Sequence, residues 1–73
     1  MKKNSNILHK FGKRVRELRA EKGIGSQMDL SFKTGLDRTY IGGVERGERN
    51  LGLENIEKIA KALGVSLEEL FRL

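Results

Sequence analysis

The stretch that most limits what this chain can fold into runs from Ser26 to Gly47, SQMDLSFKTGLDRTYIGGVERG, where two short helical patterns meet at one glycine. The Ser26 hydroxyl can accept from a free amide of a first helical turn, and Asp29 three residues on makes an S-x-x-D variant of the capping box. The helix so started ends near Thr34. Gly35 then stands where a helix stop needs a positive φ, which glycine adopts without a Cβ penalty. Leu36 supplies an apolar plug, and Asp37 is a good N-cap for a second helix whose first exposed residues are Arg38, Thr39 and Tyr40. Leu30, Leu36, Ile41 and Val44 take the inward positions, so the polar side of Arg38, Thr39 and Tyr40 faces out. In a DNA-binding helix-turn-helix, the N-terminal residues of the second helix meet base edges in the major groove. Any small helical protein also contains two helices about a glycine, and spacing alone does not separate the two readings.

The rest of the chain separates them. Seventy-three residues make one domain, 1–73, large enough for a modest core but near the size where burial is marginal. There is no cysteine, so no disulfide framework or thiolate zinc site contributes, which fits a reducing cytoplasm. Stability must come from helix packing or from a partner chain. Fifteen Lys and Arg against ten Asp and Glu give a net charge of +5, a balance that favours polyanions. No apolar run of about 18 residues occurs and the N-terminus lacks a signal-like hydrophobic stretch. A soluble, unexported chain with no membrane partner is expected. With no proline and four aromatic residues, the composition suits a compact all-α bundle.

Residues 1–5 read as a frayed basic tail. A first helix beginning around Ser5 or Asn6 carries Leu8, Phe11, Val15 and Leu18 at helical spacing, and Gly23 closes it. Arg14, Arg16 and Lys22 read as a solvated basic face. His9, the one histidine, has no cluster of other ligand types near it, so no metal site is expected. After the central pair comes a charged, glycine-containing loop from Glu45 to Gly52. Leu53, Ile56, Ile59, Ala60 and Leu63 then form the apolar stripe of a fourth helix closed by Gly64, and Ser66 with Glu69 caps a fifth containing Leu67, Leu70 and Phe71. The expectation is five helices and no strand.

From Val15 to Leu70, the segments VRELRAEKG, SQMDLSFKTGLDRTY, ERGERN and LENIEKIAKALGVSLEEL appear in order, and the chain resembles the lambda- and Cro-like repressors called the XRE family. Within it, LDRTYIGGVERGERN is similar to the restriction–modification controller proteins, small homodimeric regulators of endonuclease and methyltransferase expression. The resemblance implies a five-helix lambda-repressor-like domain. It places Arg38 and Thr39 at the base-reading positions, where an arginine fork suits guanine O6 and N7 and threonine suits a polar edge or a thymine methyl. Gln27, just after the N-cap of the second helix, matches a glutamine that binds a backbone phosphate and braces the recognition helix. Tyr40, Arg46, Arg49 and Asn50 fall where the family touches phosphates or neighbouring bases, contacts that fix register more than sequence. For Tyr40 the alternative is a ring that covers the core. Arg19 and Glu45 match a pair that bridges the first and third helices.

Three departures from the family pattern carry consequences. The connection Ile24-Gly25-Ser26 is one residue longer than usual, which puts the placement of Gln27 in question. Gly42 and Gly43 lie inside the recognition helix, each costing about 1 kcal/mol relative to alanine. Either the backbone closely approaches DNA or a neighbouring wall there, or the helix tolerates flexibility that DNA contact removes. Leu51 and Gly52 replace a proline and hydroxyl N-cap, which weakens the start of the fourth helix and exposes Leu51.

No catalytic constellation is present: there is no cysteine, no G-x-S-x-G elbow and no phosphate-cradling glycine loop, and the carboxylates fit caps and ion pairs. An antitoxin-type or phage-type repressor whose main partner is another protein is the rival reading. Such a chain is expected to carry an interaction tail after the last helix, whereas Leu73 follows that helix directly. The sequence thus points to a regulator, not an enzyme, that binds double-stranded DNA with two-fold symmetry, without cofactor or small-molecule ligand. RNA polymerase is a further candidate partner, through an acidic surface of Glu54, Glu57, Glu68 or Glu69. Leu51, Phe71 and Leu73 are large apolar residues without an evident partner, as expected of a homodimer interface. The alternative for Phe71 is a lid on the core.

Overall fold

The computed structural model describes residues 6–73, which contain five α-helices and no strand. Helix α1, Asn6–Glu21, forms where Phe11, Val15 and Leu18 recur on one stripe, and all three are buried. The expected start at Asn6 is met, while Ser5 and the proposed tail lie outside the described residues. Past α1 the chain wraps back on itself: the Ile24 amide donates to the Arg19 carbonyl at 2.9 Å, and Ile24 drops into the core.

The central pair is α2, Gln27–Thr34, and α3, Arg38–Glu45. Both start at side-chain caps, with the Asp29 amide donating to Ser26 Oγ at 3.0 Å and the Thr39 amide donating to the Asp37 carboxylate at 2.9 Å. Gly35 takes φ 76° between them, the left-handed conformation that lets the chain turn without a Cβ clash. Leu30, Ile41 and Val44 are buried, and Leu36 packs partly against them. Helix α4, Leu53–Leu63, starts at Gly52 with no side-chain cap, and α5, Leu67–Leu70, starts with the Glu69 amide donating to Ser66 Oγ at 3.0 Å. In space α1 packs on α3, α2 on both α3 and α4, and α5 closes against α1 and α4.

Two side chains, Leu53 and Arg14, depart from the sequence reading, and Leu67 is more open than its neighbour Leu70. Leu53 is not part of the inward stripe of α4 but is 84% exposed, because the first turn of that helix projects past the core and burial begins only at Ile56. Leu67 is 49% exposed while Leu70 is fully buried; a one-turn helix presents a single position to the core. Arg14 is not solvated: its Nε and Nη2 donate to the Glu69 carbonyl at 3.2 and 2.9 Å, which ties α5 to α1. A carbonyl near a helix C-terminus is a natural acceptor for a cation.

The approach of α1 to α3 depends on Gly12. A Cβ there would stand 2.7 Å from the Glu45 carbonyl oxygen and would also collide with that of Val44, and both obstacles are backbone. Gly12→Ala is therefore expected to force the two helices apart, costing about 1–3 kcal/mol. For a domain of this size that lowers Tm by roughly 5–20 °C. A thermal melt followed by circular dichroism checks this, and an unchanged melt would disprove the tight α1–α3 packing.

Candidate nucleic-acid interface

Arg38 and Thr39 open α3, and their side chains are exposed on the outside of the helix pair. The Asp37 carboxylate caps the first turn through the Thr39 amide, so this end of α3 presents an arginine fork and a hydroxyl beside a capped helix start. Tyr40, next in line, is half-buried against the core, and its hydroxyl accepts from Asn55 Nδ2 at 3.1 Å. That bond leaves the phenolic proton for a further acceptor. The guanidinium carbon of Arg49 lies 5.4 Å from the Tyr40 ring centroid, within cation–π range. The tyrosine ring thus covers the core edge, one of the two roles that the sequence left as alternatives, and it also supports an arginine.

Gly42 and Gly43 meet a neighbouring wall made of side chains. A Cβ on Gly43 would sit 2.9 Å from Arg49 Cγ, so the glycine makes the trough in which the Arg49 stem lies. A Cβ on Gly42 would sit 3.1 Å from both Arg46 Nη1 and Gln27 Oε1. The two glycines forgo side chains of their own and let three longer ones converge on the helix.

At the inner end of α3, Glu45 is 3% exposed and its carboxylate is fully engaged. Arg19 Nε and Nη2 donate to its two oxygens at 2.8 and 3.1 Å, and Gln27 Nε2 donates to Oε1 at 3.0 Å. Arg19 Nη1 reaches the Ile24 carbonyl at 3.3 Å. The structure thus brings Arg19, Gln27 and Glu45 together and turns the Gln27 amide inward. The connection before α2 runs through an exposed Gly25 between the buried Ile24 and the Ser26 cap. No buried side-chain nitrogen or oxygen among the described residues lacks a partner.

Beyond α3 the chain carries Arg46, Glu48, Arg49 and Asn50, all exposed. Gly47 at φ 77° turns the loop and abuts His9 on α1, its would-be Cβ 3.0 Å from His9 Cα. Arg46 Nε donates to Glu48 Oε2 at 3.1 Å. That hydrogen bond, and then the charge of Arg46, hold the Glu48 carboxyl below its ordinary range, while the same partner raises Arg46. A carboxyl so depressed stabilises the fold above its unfolded value, and the effect is lost as pH falls through the folded one. On the open surface it is also screened by salt.

At the opposite end, Phe71 is 42% exposed with its ring centroid 5.2 Å from that of Phe11, and Leu73 is 46% exposed. Phe71 is at once a partial lid and an open apolar surface. Leu51 does not project as expected; it is half-buried and packs against the core beside Phe11 and Ile56. The exposed Leu53 and Leu67 join Phe71 around one shallow depression, extending the apolar surface beyond the residues the sequence suggested. Among the described residues no group of three potential metal ligands occurs, and no helix is long and apolar enough to cross a membrane.

Sequence reasoning passed over Gly12, Glu48 and Asn55 and left Arg14 on a solvated face. An isolated glycine amid the α1 pattern was the one available signal for a close approach. Asn55 and Arg14 sit among ordinary surface polar residues, and their partners lie 15 and 55 residues away.

Residues 15–70 match the helix-turn-helix family HTH_3. The control protein C.BamHI of Bacillus amyloliquefaciens is 52% identical over 66 residues, covering 90% of this chain and 82% of that protein. Among solved structures, the restriction–modification controller protein C.AhdI from Aeromonas hydrophila superposes with a TM-score of 0.83 at 59% identity, covering 88% of this chain and 96% of that one. C.Esp1396I bound to a 25 base pair operator site superposes with a TM-score of 0.83 at 44% identity, covering 93% and 88%.

The Glu45 cluster makes a direct prediction. In Glu45→Ala the Arg19 guanidinium, 17% exposed, loses its carboxylate, and the Gln27 amide loses its acceptor. Removing one side of a buried pair costs about 3 kcal/mol or more, so unfolding by urea should begin at markedly lower concentration. Glu45→Gln, which keeps the shape and one acceptor, should lose less; equal stability of all three proteins would refute the role of the pair.

Proposed function

The chain belongs to the helix-turn-helix family HTH_3, among the restriction–modification controller proteins, and we propose that it is a sequence-specific transcription regulator that binds an inverted-repeat operator as a homodimer. Its targets on this reading are its own promoter and that of an endonuclease gene, and it works in the cytoplasm as one DNA-binding domain, without cofactor or catalytic activity. The observation that carries the reading is the exposed N-terminal turn of α3, with Arg38 and Thr39 facing out, on a helix fixed from behind by Glu45. Arg38 and Thr39 read bases, while Arg46, Arg49, Asn50 and the Tyr40 hydroxyl meet the backbone on either side. Gln27 braces α3 through Glu45, and its position at the first turn of α2 also brings it to the phosphate that this helix end attracts.

Dimerisation uses the apolar surface of Phe71, Leu73 and the edge of Leu51, widened by Leu53 and Leu67. A two-fold axis through it would set two α3 helices about one DNA turn, roughly 34 Å, apart. Of the acidic residues on α4 and α5, Glu54 and Glu57 line the depression that dimerisation would cover, which leaves the exposed Glu68 available to RNA polymerase.

Two experiments test this. Arg38→Ala should lose about 1–3 kcal/mol of affinity on an operator duplex taken from upstream of the gene and much less on random DNA. Arg49→Ala should weaken both and flatten the salt slope by about one unit. Equal losses on both duplexes would remove Arg38 from base reading. For the interface, Leu53→Glu alters a residue that the single chain leaves 84% exposed, so folding should survive. Analytical ultracentrifugation should then show a monomer with operator affinity reduced at least about tenfold, and a persistent dimer would place the interface elsewhere.

A further inference from the structure

Residues 46–52, RGERNLG, hold two arginines and one carboxylate, Glu48, and the backbone fixes where that carboxylate stands. With Gly47 in the left-handed conformation, the Glu48 amide donates to the Gly43 carbonyl at 2.8 Å, so Glu48 is tied to the end of α3. Its Oε2 receives Arg46 Nε at 3.1 Å, and the charge of Arg49 also reaches it. One donor of the Arg46 fork is thereby engaged: Nε is on the carboxylate, while Nη1 lies over Gly42, 3.1 Å from where a Cβ would be. A carboxylate offers an arginine the same planar pair of acceptors as a phosphate.

Building on the DNA-binding reading above, we propose that Glu48 is an internal competitor for the DNA backbone, whose carboxylate holds Arg46 until a phosphate displaces it. The two side chains are 58% and 51% exposed, so the bond is weak enough to exchange without disturbing the fold. Displacing Glu48 leaves a carboxylate that gathers a cation as DNA releases one, which lowers both the affinity and the salt dependence of binding. The exchange is blind to sequence. Glu48 therefore sets the overall strength of binding and leaves discrimination to Arg38 and Thr39.

The test is a double-mutant cycle of Glu48→Gln and Arg46→Ala, read by fluorescence anisotropy on operator and random duplexes over a series of salt concentrations. Glutamine keeps the shape and the acceptor and removes the charge. Glu48→Gln should bind both duplexes about three- to tenfold more tightly, with an unchanged ratio between them and a salt slope steeper by up to about one. In the Arg46→Ala background that gain should vanish. A gain that persists without Arg46 would reduce Glu48 to one more negative charge and overturn the proposal. No gain would also overturn it, as would a loss, which would mean that Glu48 aligns Arg46 for DNA. Wild-type protein that shows no salt-dependent binding to either duplex would defeat the DNA-binding reading itself, a result distinct from failure of the cycle alone.

Discussion

The Glu45 carboxylate, buried where α1, α2 and α3 meet, accepts from Arg19 of the first helix and Gln27 of the second while belonging to the third. Moving a carboxylate and a guanidinium out of water is costly, and the arrangement holds because each oxygen finds a charged or amide donor in good geometry. Its consequence is directional more than energetic. Apolar packing by Ile41 and Val44 keeps α3 in the bundle, but such contacts tolerate sliding, whereas a forked bond accepts one rotation and one height of the helix. The outward face of Arg38 and Thr39 is set by that constraint.

Around this junction, glycine is used to bring things close. Gly12 lets α1 lie against the last carbonyls of α3, and Gly42 and Gly43 let Gln27, Arg46 and Arg49 fold across the same helix. Two adjacent glycines make RTYIGGVE a poor helix former by itself, at about 1 kcal/mol each. The Asp37 cap and the burial of Ile41 and Val44 offset that cost, so α3 owes its form to its neighbours. The loop after it continues the theme: Arg49 rests on the Tyr40 ring, itself held by Asn55 of α4.

The apolar end of the molecule follows from size. A chain of 73 residues has too little interior for all its large side chains, and Leu53, Leu67, Phe71 and Leu73 remain at least two-fifths exposed. Leu53, Leu67 and Phe71 gather around one depression between α4 and α5, and Leu73 lies beside Lys10 and Lys13 of α1, whereas the loop after α3 and the start of α3 expose charged and polar side chains. Arg14 ties α5 to α1 through the Glu69 carbonyl, which fixes the orientation of this apolar surface relative to the helices that hold α3.

Local rules settled the elements. Ser26, Asp37 and Ser66 cap three helices as their hydroxyls and carboxylate require, Gly35 makes the turn, and the spacing of Phe11, Val15 and Leu18 buries one stripe of α1. These depend on partners within a few residues, and sequence order alone displays such partners. The resemblance to known repressors supplied pairings, such as Arg19 with Glu45, that periodicity could not. What tertiary structure decided is where distant groups meet. Leu53 obeys the helical period yet faces solvent, since whether a turn reaches the core depends on the length and placement of the neighbouring helices. Gly12 is a spacer because α3 passes over it, and Arg14 is a tie because the Glu69 carbonyl arrives 55 residues later. Periodicity fixes the direction in which a side chain leaves its helix; only the packed bundle fixes what it finds there.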